Sequence, residues 1–174
     1  MLCAGCLTLP PMESGRAARA MAATATFVVP RAVMAAPAIT APGSANLGSA
    51  ARGQSTTVQL GQVRVTSSGN RNWSATVSAT AFTTGGGTAF ETISSSRLAY
   101  ASGPLVSKTG PGNFVPGQPN TNQKQPLDTP RVAFSYNTLV TTASSVIWQP
   151  TLTMSVPATA VAGTYTGTMT HSVA

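Results

Sequence analysis

Charged side chains are scarce in this sequence, and acidic ones most of all. Only 7% of its 174 residues are charged, and Asp and Glu together number three, whereas soluble domains usually carry about 25% charged residues. Beyond residue 38 the acids are Glu91 and Asp128. Calcium sites need several acidic oxygen ligands, and zinc sites need clusters of Cys, His and carboxylate. We therefore expect no metal ion and no cofactor.

Histidine is nearly absent as well, which limits acid–base catalysis. The single histidine, His171, is in phase with apolar neighbours, so we interpret it as a neutral side chain in or beside the core. A Ser–His–Asp triad would have to combine it with Asp128 or Glu91, and the chain has no G-x-S-x-G motif. A glycosidase would need those same two carboxylates, and both lie in loop-like stretches. The sequence therefore predicts a protein that is not an enzyme.

Cysteine is confined to the first six residues. Cys3 and Cys6 form a Cys-x-x-Cys pair, but no strand–helix context around them supports a redox role. We interpret residues 1–11 as removed or as preceding the true start, at Met12 or Met21. The rest of the chain has no cysteine, so we expect a fold that does not depend on disulfides.

Basic residues outnumber acidic ones, with a formal net charge of +7. Beyond residue 38, seven basic residues stand against two acidic ones, which leaves a net charge of +5. They are scattered, whereas nucleic-acid binding needs a basic stripe that neutralises neighbouring phosphates, so we expect no nucleic-acid partner. Two interpretations stay open: weak attraction to an anionic polymer or cell envelope, or a solvated face that aids solubility.

A secretory signal is predicted in residues 16–38. Two arginines begin it, and Ala20–Val29 forms a short apolar stretch before candidate small-residue cleavage sites, which are Val33-Met34-Ala35 and Ala36-Pro37-Ala38. A disordered leader is the alternative, because Pro30 and Arg31 cut the apolar stretch short. A helix that spans a membrane needs about 20 apolar residues, and none is predicted here or elsewhere. We assign residues 1–38 to a disordered or helical leader and expect secretion.

The C-terminal part alternates between apolar and hydroxyl side chains, which is typical of strands with one buried face. In a predicted strand from Thr164 to Val173, one face carries Tyr165, Gly167, Met169, His171 and Val173. Residues 146–156 alternate in the same way. We expect these two segments to pair antiparallel across the loop 157–163. Pro150 marks a bulge, an edge or a break between two shorter strands, because proline cannot donate to a ladder.

Further strands are predicted upstream, and they define the fold class. A slip at Gly61 within 55–67 indicates a bulge or a break. The apolar residues of the other predicted strands are Trp73, Ala75, Val77 and Ala79, then Ile93, Leu98 and Tyr100, then Val132, Phe134 and Tyr136. Thr83–Thr88 is a glycine-rich loop, and Ser102–Pro130 is predicted to be disordered, draped over the surface or functional. The sequence thus predicts an all-β, antiparallel immunoglobulin-like β-sandwich of about seven to nine strands.

Two tryptophans are the candidate ligand-stacking groups. Trp73 and Trp148 are each in phase with apolar neighbours, which favours packing in the core, whereas exposed rings would stack on sugars. Together with Tyr165 and His171, they are the residues we single out as candidate contacts to a ligand or to a cell wall.

Two stretches resemble WxL-type cell-wall surface domains. The run VPATAVAGTYTGTMTHSVA, residues 156–174, is similar to the end of that family, where a Pro-Ala loop and a Gly-Thr-Tyr corner lead into a threonine-rich strand. Residues 63–82, VRVTSSGNRNWSATVSATAF, resemble its first tryptophan strand. The resemblance covers residues 43–174. Two positions depart from the pattern: Ala75 stands where Leu is expected, and His171-Ser172-Val173 takes the place of the second tryptophan triplet.

The resemblance implies a location and a set of partners. WxL-type domains are extracellular β-sandwiches of Gram-positive bacteria that associate noncovalently with the cell wall through peptidoglycan. We therefore expect a secreted cell-surface structural or interaction protein whose partner is peptidoglycan, another wall glycan or another surface protein. A soluble carbohydrate-binding module without wall association is the alternative. No sorting motif precedes Ala174, so we expect any attachment to be noncovalent.

Overall fold

Strands and short turns make up residues 35–174, the part of the chain that the computed structural model describes. The cysteine pair and residues 16–34 of the predicted signal lie outside these residues, whereas Ala38, the last residue assigned to the leader, is the first residue of β1. The strands are β1 (Ala38–Thr40), β2 (Ser55–Gln59), β3 (Val63–Ser67), β4 (Asn72–Ala79), β5 (Phe82–Thr83), β6 (Thr92–Ile93), β7 (Leu98–Ala101), β8 (Leu105–Thr109), β9 (Asn113–Pro116), β10 (Gln125–Pro126), β11 (Arg131–Asn137), β12 (Ser144–Trp148), β13 (Thr151–Ser155) and β14 (Met169–Val173). Three 3₁₀ turns span Ala89–Glu91, Ser95–Arg97 and Thr121–Gln123.

Three long strands on one side of the molecule are each interrupted along a common line. The breaks lie at Gly61 between β2 and β3, at Gly103 between β7 and β8, and at Pro150 between β12 and β13. On one side of this line the order is β1-β3-β12-β8, and on the other it is β2-β13-β7-β10. Each long strand has the same neighbouring long strand on both sides of this line. The eight strands are therefore treated as one sheet, here called the bent sheet. The breaks predicted at Gly61 and Pro150 are confirmed.

The second sheet has the order β14-β4-β11-β9 and packs on the bent sheet. The alternation predicted for β4 is confirmed, because Trp73, Ala75 and Val77 are buried. Aromatic contacts join the two layers: the rings of Phe134 and Trp148 stack with centroids 5.0 Å apart. The antiparallel all-β sandwich is therefore confirmed, with more strands than predicted because the long strands are broken at the bend.

The C-terminal strand is shorter than predicted and has a different partner. β14 begins at Met169 rather than Thr164, and its alternation of half-buried and exposed residues is confirmed from that point on. Upstream, Thr166 makes an isolated bridge to Thr83. The predicted pairing of 146–156 with 164–173 is wrong, because β13 pairs with β2 and β7 while β14 pairs with β4. The intervening loop crosses from one sheet to the other instead of making a hairpin.

Ser102–Pro130 is folded rather than disordered or loop-like, so that prediction is wrong. It contributes β8 to the edge of the bent sheet and β9 to the edge of the second sheet. Its first residue is bonded to its middle inside the protein, where the Ser102 hydroxyl donates to the Gln118 carbonyl at 2.9 Å and accepts from the Gln118 N–H at 3.0 Å. Edge strands with polar faces carry no apolar alternation, which explains why the sequence pattern indicated a loop.

One predicted core position in β11 is wrong. Val132 is 46% exposed, whereas Ala133 and Phe134 are both buried. The register with β4 shifts between Val132 and Phe134, and such a bulge places an extra residue on one strand. The β11 alternation therefore starts at Phe134 and not at Val132.

Candidate functional site

The two tryptophans are core residues in the structure. Trp148 is fully buried and Trp73 is 3% exposed, so neither ring offers a face to solvent. The indole N–H of Trp73 donates to the Ser144 hydroxyl at 3.3 Å, and its ring stacks on Tyr136 with centroids 5.6 Å apart. The predicted preference for core packing is confirmed for both. Among the four candidate contact residues, Tyr165 and His171 are the two that retain partial exposure.

His171 ends a hydrogen-bonded chain that crosses the core. The indole N–H of Trp148 donates to the Tyr100 hydroxyl at 3.2 Å, and that hydroxyl lies 3.1 Å from Nε2 of His171. An indole N–H can only donate, so the Tyr100 hydroxyl accepts from it and turns its own proton to Nε2. When the Tyr100 hydroxyl donates in this way, His171 is the neutral tautomer that carries its proton on Nδ1.

Burial reinforces the neutral state of both titratable groups in this chain. Desolvation disfavours a buried imidazolium and lowers the pKa of His171 from 6.5 to about 4. Desolvation likewise raises the pKa of the Tyr100 phenol above its ordinary value, and the hydrogen bond from Trp148 opposes that rise. At neutral pH the hydrogen-bonded side chains of Trp148, Tyr100 and His171 are therefore an uncharged structural link between β7, β12 and β14.

Tyr165 belongs to a rigid apolar surface with Phe90 and Val161, here called the platform. Its phenol hydroxyl is shared between the carbonyls of Val161, at 2.9 Å, and Phe90, at 3.2 Å. The Val161 N–H donates to the Phe90 carbonyl at 2.9 Å. Phe90 is 57% exposed and Val161 is 38% exposed. The platform thus presents an aromatic ring to solvent on a backbone that hydrogen bonds hold in place.

Both carboxylates of the described domain serve local structure. Glu91 accepts from the N–H and the hydroxyl of Thr88, at 3.1 and 2.8 Å. These bonds hold the pKa of the Glu91 carboxyl below its usual range and tie down the predicted glycine-rich loop, which is confirmed as a loop. Asp128 pairs with Arg131 at 2.6 Å, and that hydrogen bond lowers the pKa of its carboxyl. The two carboxylates therefore lie in separate contacts rather than in one site.

A groove opens beside the platform, along the seam between the two sheets. The segment Ala41–Arg52 is here called the strap; its part from Ala45 to Arg52 forms one wall of the groove, and Val161–Gly167 forms the other. This seam groove has a volume of about 750 Å³. A smaller pocket of about 220 Å³ continues from it between the strap and β14, where His171 lies. The structure thus brings Tyr165 and His171 to two adjoining hollows.

The seam groove has an apolar floor and nearly neutral walls. Its floor consists of Phe82 and Ile93, from the two-stranded pair that β5 and β6 form, and of Met154 and Val156, in and just after β13. The walls are backbone, small side chains and the hydroxyls of Ser49, Thr164 and Thr166, and Arg52 is the one charged side chain that lines the groove. Such a lining suits a neutral ligand, or one with a single negative charge, that places apolar groups on the floor.

Sequence reasoning missed Phe90, Arg52 and the strap. Phe90 lies in a 3₁₀ turn next to glycines, so no strand alternation could indicate whether it faces solvent. Its proximity to Val161 and Tyr165 depends on a contact between segments about 70 positions apart, which a local pattern does not encode. The Gly-Thr-Tyr corner was the available signal for the platform.

The described residues offer neither a metal-binding cluster nor a membrane-spanning helix. Within residues 35–174, no cluster of three or more His, Cys, Asp or Glu side chains could hold a metal ion, and no helix is long and apolar enough to cross a membrane. No protein-family model matches the sequence, and no curated protein matches it as a relative.

Proposed function

We propose that this protein is a secreted, non-enzymatic interaction protein of the bacterial cell surface that associates noncovalently with peptidoglycan in the cell wall. The observation that carries the proposal is the platform. Phe90 is the most exposed aromatic ring on the described surface, and aromatic rings stack on the apolar faces of sugars.

The surroundings of the platform suit a wall glycan. Hydroxyl groups of Thr88 and Thr164 border it in the chain, and sugar hydroxyls pair well with such groups. Arg52, in the adjoining groove, offers a cation to the carboxylates that the peptides of a wall glycan carry. The net charge of +5 over residues 39–174 favours approach to an anionic wall. The resemblance to WxL-type domains, in residues 63–82 and 156–174, points to the same partner.

Pelleting with purified peptidoglycan tests this proposal. We expect the wild-type protein to sediment with peptidoglycan, less so as salt is raised. Phe90→Ala should raise the apparent Kd for peptidoglycan at least about fivefold, because a stacked ring contributes about 1–3 kcal/mol. Leu139→Ala is the matched control, since Leu139 is a large apolar residue that is 92% exposed in another loop. Equal sedimentation of wild type and Phe90→Ala would contradict the role of the platform.

The second candidate is a soluble carbohydrate-binding module, which the same exposed Phe90 ring supports. The two proposals differ in the glycan that binds. Binding to soluble polysaccharides in affinity electrophoresis, with none to peptidoglycan, would favour the module. Absence of binding to both would refute both proposals.

A further inference from the structure

The free edges of the two sheets differ in how they are protected against an added strand. β8 carries Lys108 and a register shift against β12, β9 and β10 each contain a proline, and β1 has three residues. Charges, prolines, bulges and shortness are the usual devices that prevent strand addition. β14 has none of them, but β1 lies alongside it.

β2 is the edge that lacks such protection. Its sequence, STTVQ, has no charge and no proline, and it pairs in unbroken register with β13 over five residues. Among residues 35–174, the strap contacts β2 at Thr56. Within the part of the chain that is described, no backbone hydrogen bond joins the strap to β2, and one side-chain bond, from the Thr56 hydroxyl to the Leu47 carbonyl, is 3.5 Å long.

The strap is weakly held over a hollow. Most residues of the strap are small or polar. Its one large apolar side chain is Leu47, which is half-buried against the core. Leu47 lines both the seam groove and the smaller pocket. Both hollows are open to solvent beside Leu47, so the strap covers the seam only in part.

We infer that the edge of β2 is a strand-acceptor site, where an extended peptide segment of a partner protein displaces the strap and adds antiparallel to the bent sheet. In such strand addition, backbone hydrogen bonds provide affinity and alternate side chains provide specificity. This site takes a peptide and is distinct from the glycan contact of the platform, so the inference goes beyond the proposed function.

The neighbouring faces define the chemistry of the added strand. Inward side chains would meet Thr56 and Val58, which are half-buried beside the groove floor, so they must be small and apolar. Outward side chains would extend a hydroxyl ladder in which Ser55 bonds Ser155 at 2.9 Å and Thr57 bonds Thr153 at 2.8 Å. Arg52 is the last residue of the strap, and the next residue, Gly53, donates its N–H to the Val156 carbonyl at 3.0 Å; Arg52 therefore stays beside this edge when the rest of the strap moves, and it complements one acidic residue. The partner segment therefore alternates small apolar and hydroxyl residues and carries a single carboxylate.

A synthetic nine-residue peptide of alternating valine and threonine, ending in glutamate, is the probe. We expect it to bind the full chain in isothermal titration calorimetry. A version with N-methyl groups on alternate backbone amides keeps the side chains but loses N–H donors to the β-ladder, so it should bind at least about tenfold more weakly. Equal binding of the two peptides, or binding of neither, would overturn the inference.

Two variants of the strap separate displacement from simple contact. Leu47→Ala should bind the valine–threonine peptide at least about threefold more tightly than wild type, because it weakens the contact of the strap that the peptide must displace. Weaker binding would mean that Leu47 is part of the binding surface and would refute displacement. Leu47→Cys with Thr56→Cys, made in a chain where Cys3→Ser and Cys6→Ser remove other thiols, should lose peptide binding when oxidised and regain it on reduction.

The outcomes for the two sites are independent. Peptidoglycan sedimentation of the oxidised, locked strap variant should equal that of the reduced form, because the disulfide holds the strap where it lies in the structure and leaves Arg52 and the platform in place. Normal sedimentation without peptide binding would overturn the strand-acceptor site alone. Peptide binding without sedimentation would overturn the proposed wall association alone.

Discussion

At the scale of single residues, His171 makes stability depend on pH. Its pKa of about 4 in the folded protein lies below the ordinary 6.5, so the unfolded chain binds more protons between these values. The free energy of unfolding should therefore be intact above pH 6.5 and fall by on the order of 3 kcal/mol as the pH drops to about 4. Urea denaturation at pH 7, 6, 5 and 4 measures this fall.

The control for this prediction is His171→Gln, which keeps a polar side chain that can accept from Tyr100 but does not titrate. Its stability should be nearly flat between pH 6.5 and 5. Carboxylates with lowered pKa values, Glu91 and Asp128, lose their own contribution only as the pH falls toward and below about 4. An equal decline in wild type and His171→Gln between pH 6.5 and 5 would show that another group is responsible.

A second residue-scale prediction concerns Gly117, which follows β9 at the bulge of β11. A Cβ atom there would lie 1.9 Å from the Val132 carbonyl oxygen, and backbone cannot move aside cheaply. Gly117→Ala should lower the free energy of unfolding by about 3 kcal/mol or more. Gly43→Ala is the control, since nothing lies within 4 Å of its added Cβ. Similar urea midpoints for the two variants would argue against the bulge geometry.

At the scale of elements, the bend in the larger sheet depends on Gly103. Its φ of +72° favours glycine, and an added Cβ would lie 2.7 Å from the Gln149 carbonyl oxygen on the neighbouring strand. Gly103→Ala should cost about 1 kcal/mol for the backbone conformation and roughly 1–3 kcal/mol more for the clash. Gly87→Ala, with φ +73° and open space around it, isolates the first cost. If both variants lose equal stability by thermal denaturation, the strands do not meet at the bend.

The contrast between correct and wrong strand predictions also belongs to this scale. Alternation with a period of two reveals which face of a strand is buried, and it was correct for β4 and β12. In β13 it was correct for Leu152 and Met154, but Thr153 on the opposite face is buried as well. It contains nothing about which strand lies next to which, so the predicted pairing of the last two segments was wrong. It also fails for β8, where all five residues are exposed. Prolines and glycines were more informative, because they marked the breaks at Pro150 and Gly61.

The candidate site shows the same limit of local patterns. Tyr165 and His171 could be selected because they stand in an alternating strand-like run, and both lie beside the hollows of the seam. Phe90 and Arg52 could not, because their exposure and their neighbours follow from how distant segments meet. The partners of Tyr100 are a further example, since its hydroxyl joins residues 48 and 71 positions away.

At the scale of the whole molecule, β1 links the start of the described chain to the sandwich. Ala38–Thr40 pairs with β3, and Ile39 is half-buried against the core. A protein that begins at residue 36 keeps this strand, whereas one that begins at residue 43 lacks it and leaves the edge of β3 open. Loss of the Ile39 contact and of the ladder bonds should lower the free energy of unfolding by about 2 kcal/mol.

Comparison of the 36–174 and 43–174 proteins tests the contribution of β1. The shorter protein should melt several degrees lower in differential scanning calorimetry, because a change of 1 kcal/mol shifts the midpoint of a domain of this size by about 4 °C. An open β3 edge should also make it associate in size-exclusion chromatography as concentration rises, since unpaired edges template contact with other chains.

Ile39→Ala in the longer protein separates the two effects: it removes the apolar contact but keeps the strand, so it should lower the melting temperature without causing association. Identical melting and elution of the two proteins would mean that the sandwich is complete without β1, and that the domain begins at residue 43.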